Sequence, residues 1–250
     1  MLGIKKQTGG FQVSASGKHP AFNDYFSVNV ESPLAIALAS WVENGMAAKG
    51  KTDRTRIPRS FRFWVRGIRK GELSLGILRE SSDRMGRIYP LMIMGSLVMN
   101  GRDREWQSIF DGFEMVFRNF ENMTTTVYDR FNDFEDGLLE MTGRGSPPFE
   151  ENGKETDLSR AMGAWFHRDR DQEMMTLPVD QLKKIFSGLP PKKESRGFFR
   201  PGPDPPGAAF LGGLPGEPVI TIYSRALRTR DFLTLFNLTG RDETENRQHP

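Results

Sequence analysis

Phe61-Arg62-Phe63-Trp64-Val65-Arg66 and, beyond Lys70-Gly71, Leu73-Ser74-Leu75-Gly76-Ile77 decide the fold class of this 250-residue chain. In the first run Phe61, Phe63 and Val65 alternate with Arg62, Trp64 and Arg66. In the second, Leu73, Leu75 and Ile77 keep the same period, as half-buried strands joined by a turn do. Downstream, Ile88 to Val98 is apolar almost throughout and predicts a strand covered on both faces. Upstream, Phe11, Val13 and Ala15 alternate with Gln12, Ser14 and Ser16, which predicts a strand ending at Gly17. Between these strands, Ser32-Pro33 reads as an N-cap followed by proline at the first helical position. Leu34, Leu38, Trp41, Val42 and Met46 then give that helix one apolar face for the sheet.

The second half adds helices before it returns to strands. Trp106, Ile109, Phe110, Phe113, Val116, Phe117 and Phe120 predict one long amphipathic helix, and Phe131, Phe134, Leu138 and Met141 predict another. The aromatic and methionine wealth of 106–141 is read as core. Gly143-Arg144-Gly145-Ser146-Pro147-Pro148 opens an irregular loop that extends over 144–157, and Val179, Leu182, Ile185 and Phe186 after Pro178 indicate a short helix. Six prolines between Leu189 and Pro206 exclude regular structure over 189–206. Ala208 to Leu211 and Val219 to Tyr223 flank Leu214-Pro215-Gly216-Glu217, a type II turn signature, and so form a hairpin. Thr229 is the expected cap of a last helix bearing Phe232, Leu233 and Phe236, before a charged tail over 241–250 that is expected to be disordered. The order of elements predicts an α/β protein. It is expected to be a three-layer α/β/α sandwich around a mixed, largely antiparallel sheet, with residues 1–240 in a single domain, because the last hairpin and helix are too small to hold a separate core.

Composition narrows the functional classes. The 35 basic and 32 acidic side chains leave a net charge of only +3, so charge alone implies neither nucleic-acid nor membrane binding. No cysteine is present, which excludes disulfides, thiolate zinc sites and cysteine nucleophiles and fits a reducing compartment. The start Met1-Leu2-Gly3-Ile4-Lys5-Lys6 runs into polar residues, so no secretory signal is expected, and Ile88 to Met99 is too short and too interrupted to span a bilayer. The three histidines, His19, His167 and His249, lack metal-ligand spacing, and His19 reads as an ordinary loop residue. Gly17-Lys18 is not a phosphate loop, since Gln12 stands where its first glycine belongs. His167-Arg168-Asp169 resembles a kinase catalytic loop only by chance, since Met174 replaces the asparagine. No nucleophile, metal or cofactor constellation supports an enzyme.

Two stretches hold most of the remaining information. In Gly17-Lys18-His19-Pro20-Ala21-Phe22-Asn23-Asp24-Tyr25-Phe26 and in Asp83-Arg84-Met85-Gly86-Arg87-Ile88-Tyr89-Pro90-Leu91, charges sit beside glycine, proline and aromatics, as in shaped loops. With these residues the chain resembles the type VI secretion system-associated TagF/ImpM family. That family's first signature, Gly-Lys-x-Pro-x-x-Gly-Asp-Phe, is met by Gly17, Lys18, Pro20 and Asp24, with Tyr25 as the aromatic. Asn23 replaces the glycine and is expected to keep its positive φ. The second, Asp-Arg-x-Gly-Arg-x-aromatic-Pro-Leu, is met by Asp83, Arg84, Gly86, Arg87, Tyr89, Pro90 and Leu91. Phe61-Arg62-Phe63 stands at the family's aromatic-Arg-Phe strand, whereas Glu80-Ser81-Ser82 departs from its usual proline-serine pair. The resemblance covers residues 10 to 237, firmly over the first hundred and loosely beyond.

The resemblance implies a cytoplasmic, non-enzymatic accessory protein of a Gram-negative contractile secretion apparatus. It would act as a post-translational repressor of assembly whose protein partner is a scaffold with a forkhead-associated domain. Two readings of the motif residues stand side by side. Asp24, Asp83, Arg84 and Arg87 can pair across neighbouring loops as a structural staple. Alternatively, Lys18, Arg84 and Arg87 supply charge, and Tyr25 and Tyr89 contact area, to a partner-binding patch. Recognition of a nucleotide or phosphothreonine peptide by Lys18, Arg84 and Arg87 is the alternative of another class.

Overall fold

The structure, a computed structural model, describes residues 10–49, 57–99, 103–143, 147–149, 156–169, 171–187 and 204–237. Eight strands form one sheet: β1 (Gln12–Gly17), β2 (Phe26–Val28), β3 (Ser60–Arg66), β4 (Glu72–Arg79), β5 (Leu91–Val98), β6 (Met174–Pro178), β7 (Ala208–Leu214) and β8 (Glu217–Tyr223). Their order is β2-β1-β5-β4-β3-β7-β8-β6, and the sheet expected to be mixed and largely antiparallel is antiparallel at each pairing among the described residues. The helices are α1 (Pro33–Lys49), α2 (Ile109–Gly112), α3 (Glu114–Thr125), α4 (Phe131–Met141), α5 (Asp157–Arg168), α6 (Val179–Ile185) and α7 (Thr229–Asn237).

Strand alternation sorts the core into the two outer layers. In β5, Leu91, Ile93 and Leu97 join Leu75 and Ile77 against Phe117, Phe120, Phe134 and Trp165 of the helices from the middle of the chain. The intervening Met92 and Met94 join Phe61, Phe63 and Phe210 against Trp41 of α1 and Phe232 and Phe236 of α7. The expected three-layer α/β/α arrangement follows, with both faces of the central strands dry. Trp64, expected to alternate with the apolar set of β3, is fully buried on the opposite face and packs on Trp106 with ring centroids 6.0 Å apart. Arg62 on that face is held by Glu121 at 2.7 Å and by Glu114, with its guanidinium 5.5 Å from the centre of the Phe117 ring, which ties α3 to the sheet.

Local chemistry accounts for the element ends. Ser32 Oγ accepts from the Ala35 N–H at 3.1 Å, the expected cap of α1. Gly216 at φ 84° supplies the turn between β7 and β8, where Leu214 pairs with Glu217. At α7 the expectation is corrected. Thr229 is the first helical residue, and Asp231 reaches back to accept from the Arg228 N–H at 2.6 Å, the acidic half of a capping box. The long helix expected over 106–120 is also broken. A 3-10 segment spans Asp103–Ser108, and Phe113 leaves helical geometry at φ −115°, ψ 26° between α2 and α3. Here the Phe149 ring lies where a Cβ on Gly112 would be, 2.3 Å from the nearest ring atom, so a side chain from downstream occupies the break.

Three elements were not expected: the edge strands β2 and β6, and α5, which carries Ala161, Met162, Trp165 and Phe166 into the core. The His167-Arg168-Asp169 run is simply the end of α5. Most of the expected loops at 144–157 and 189–206, and the tail over 241–250, lie outside the described residues. Among those described, no helix is long and apolar enough to cross a membrane.

Candidate functional site

The two motif stretches leave neighbouring strands at the same end of the sheet. Ser16 of β1 pairs with Met92 of β5, so the loop after Gly17 and the loop before Leu91 emerge side by side. Gly17 sits at φ 126°, and a Cβ there would stand 2.0 Å from the Pro90 carbonyl oxygen. Glycine is thus required twice over, by conformation and by contact with the backbone of the other motif. Gly86 at φ 77° turns the second loop back, and its N–H donates to the Asp83 carbonyl at 2.8 Å. Across the seam, the Arg84 N–H donates to the Phe22 carbonyl at 2.7 Å.

Asp83 is the hub. Its carboxylate is buried, and Oδ1 accepts from the N–H groups of Met85 at 3.0 Å and Arg87 at 2.9 Å. Oδ2 accepts from Lys18 Nζ at 2.9 Å and from Arg87 Nε at 2.6 Å. Burial alone would raise this carboxyl, but the hydrogen bonds from Lys18 and from the Arg87 backbone and side chain outweigh it and hold its pKa well below the usual carboxylate range. Arg87 continues outward, and its Nη2 donates to the Asn23 carbonyl and, at 2.8 Å, to Asp24. Asp24 and Asp83 together raise the Arg87 guanidinium above its ordinary value. Asp24 and Arg87, from different loops, therefore meet in an ion pair, whereas Arg84, the fourth residue of the expected staple, is in none among the described residues.

Around this network the tyrosines pair edge to face. The Tyr25 and Tyr89 ring centroids are 5.2 Å apart at 88°. Burial, then Tyr25 and Glu43 of α1, pushes the Tyr89 hydroxyl up to about 12, and burial also raises Tyr25. Pro90 is buried beneath the seam, while Pro20 is exposed on the crest of the first loop. The exposed Arg84 side chain has no charged partner among the described residues. The structure thus brings Gly17, Lys18, Asp24, Tyr25, Asp83, Arg84, Gly86, Arg87, Tyr89 and Pro90 to one rim.

Two details differ from expectation. Asn23 does not take a positive φ, and the non-glycine residue that does is Asn29, at φ 54°. The first loop therefore turns without the left-handed conformation a glycine there would favour, because its path is fixed by the Arg87 bonds to Asn23 and Asp24. His19 is not an ordinary loop residue. It is buried, its Nδ1 accepts from the Ala21 N–H at 3.2 Å, and its ring lies 5.2 Å from Phe22, 5.5 Å from Tyr128 and 6.0 Å from Phe134. Its Nε2 faces the Met123 backbone without a well-formed hydrogen bond. Burial holds this imidazole below its ordinary value, so it is neutral at pH 7. The aromatic box that roots the first loop on α4 was the part hidden in the sequence. Its signal was the recurrence of aromatics at 22 and 26 and at 128, 131 and 134. Among the described residues no three His, Asp or Glu side chains form a group that could hold a metal ion.

Comparison with known proteins bears on the same region. The family model described as the TagF N-terminal domain, type VI secretion system-associated, matches residues 14–140, which include both motif loops and the helices beneath them. A search of curated proteins found no match. Among solved structures, PA0076 from Pseudomonas aeruginosa PAO1 superposes with a TM-score of 0.56 at 17% identity, over 93% of this chain and 96% of that one. At that identity the likeness is one of fold.

Proposed function

The chain belongs to the TagF family of type VI secretion system-associated proteins, and from that membership we propose that it is a non-enzymatic, cytoplasmic accessory protein that represses assembly of the apparatus after translation. It acts by docking on a scaffold component with a forkhead-associated domain, and the docking face is the rim where the two motif loops meet. One observation carries this reading. Asp83 fixes both loops from below, so that Tyr25, Arg84 and Met85 are presented at the surface on braced backbone. Preorganised aromatic and arginine side chains are what a protein interface uses for anchoring, because little entropy remains to be lost on binding. The unbroken sheet from Gln12 to Tyr223 supports treating residues 1–240 as one unit.

The alternative in which Lys18, Arg84 and Arg87 grip a phosphate has less support. Lys18 and Arg87 are already bound to Asp83 and Asp24, and an incoming anion would have to displace those carboxylates. Calorimetric titration with nucleotides and phosphothreonine peptides is expected to give no binding heat. The docking reading is tested by affinity purification from the host together with an effector-release assay. The tagged chain should recover the scaffold, and its overexpression should lower release. Recovery of no secretion-system component, with release unchanged, overturns it.

A further inference from the structure

We propose that His19 is a proton-operated latch on the first motif loop, seated while its imidazole is neutral and released from α4 and the turn before it when Nδ1 takes up a proton. The latch is a property of the free chain and does not depend on the docking reading above. His19 is 2% exposed inside a box of rings, 5.2 Å from Phe22, 5.5 Å from Tyr128 and 6.0 Å from Phe134. Its Nδ1 accepts from the Ala21 N–H, so the neutral ring carries its proton on Nε2. A second proton has only Nδ1 to bind, where it would point at the Ala21 N–H instead of accepting from it. Charging the ring in place therefore breaks that bond and sets donor against donor in an apolar enclosure.

The surrounding groups give the charge no relief. Burial weighs most against a charged ring, and the field of Arg79 on β4 adds to it, Arg79 Nη1 itself donating to Thr124 Oγ1 at 3.3 Å. From α3 the ring meets the Met123 backbone, which favours a charged ring but makes no well-formed bond to Nε2, while Glu121 of that helix is taken by Arg62 at 2.7 Å. From the turn and α4, Tyr128 and Phe134 present rings, and Arg130 and Asp133 close on each other at 2.8 Å. In its own loop the neighbouring Lys18 is held by Asp83 at 2.9 Å. Release of the ring reaches the second motif through Phe22, whose own ring lies 5.1 Å from Phe131 and whose carbonyl takes the Arg84 N–H at 2.7 Å. Box and seam share that residue, so the rim holds together only while His19 is neutral.

Amide hydrogen exchange measured by NMR on the full chain tests this, with His167→Gln and His249→Gln in place so that His19 is the one histidine left. After correction for intrinsic exchange, the protection of the Ala21 and Arg84 amides should fall by about fivefold or more between pH 6.5 and 5, because the released loop binds a proton that the seated one excludes. At each pH it should also be lower than that of Ile77 and Met94 in the central strands, which marks a local opening. His19→Asn keeps an acceptor near the Nδ1 position and takes no proton, so it should abolish the slope. A flat profile, protection at Ala21 and Arg84 equal to that of the central strands, or a slope that survives His19→Asn each overturns the latch. Should the asparagine variant fail to fold, the profile of the chain that keeps His19 decides alone. Because the free chain is measured, any of these failures leaves the proposed function standing.

Discussion

Asp83 and Asp231 are buried to nearly the same degree and each gathers cations, yet they occupy diagonally opposite corners of the sheet and are completed differently. At the far corner Arg225 meets both oxygens of Asp231 at 2.7 and 2.9 Å, and the Arg228 N–H adds a third bond. Glu173 then receives Arg225 and Arg228, with Arg230 at 3.7 Å, so each of these arginines ends on a carboxylate. At the near corner Asp83 is as well supplied, but Arg84, the next residue, ends on none among the described residues. Both corners are built by the same device, a buried carboxylate surrounded by donors, so an ion network by itself does not distinguish architecture from interface.

The comparison can be broken most severely from beneath. Gly17→Ala places a Cβ against the Pro90 carbonyl at a φ that side chains avoid, and nothing at the far corner is so tightly seated. Urea unfolding should show a loss on the order of 3–5 kcal/mol, and a variant of wild-type stability would mean that the loops are not braced on each other. Next, Asp83→Ala leaves the nearly buried Lys18 ammonium without its carboxylate, whereas Asp231→Ala leaves Arg225 still on Glu173 at 2.9 Å. The melting temperature should fall by about 10 °C in the first and by roughly half as much in the second. The reverse order would show that the far corner carries more of the fold.

Acid sharpens the likeness between the corners. Both carboxyls have folded pKa values depressed below their unfolded ones, Asp231 because the Arg225 and Arg228 bonds outweigh its burial. The unfolded state therefore takes up protons first. Stability from both networks is complete above about pH 4 and is lost as pH falls through the depressed folded values. Each alanine variant should show a shallower acid-unfolding slope in that window than the wild type. The smallest effects separate the corners again. Arg228→Glu should cost about 1 kcal/mol, since it sets a like charge against Glu173. Arg84→Glu should stay within about 0.5 kcal/mol of wild type in stability while abolishing scaffold recovery.

Much of the near corner was legible because its constraints are local and chemically narrow. Gly17 and Gly86 are demanded by backbone conformation or contact, and Asp83 serves N–H groups two and four residues ahead, so the pattern is written in short stretches. The central strands were legible from their period, and the layering from the number of apolar helices. The far corner was not, because Glu173 reaches Arg225 and Arg228 only through the pairing of β6 with β8, and β6 is five residues ending in proline. The missed α5 did carry a signal. Leu158, Ala161, Met162, Trp165 and Phe166 follow Thr156, whose hydroxyl caps the helix by accepting from the Ser159 N–H, but the polar run before it masked the start. The break at Phe113 had no local sign, since it is the distant Phe149 ring that occupies it. His19 was misread for the same reason, its neighbours coming from α4 and the turn before it.

Gly17 resting on the Pro90 carbonyl has a kinetic corollary. Gly17 ends β1 and Pro90 directly precedes β5, so their contact forms only once the intervening helix and hairpin are in place, a long-range closure. A nascent or half-folded chain carries both motifs in its sequence but not yet the rim that they form together.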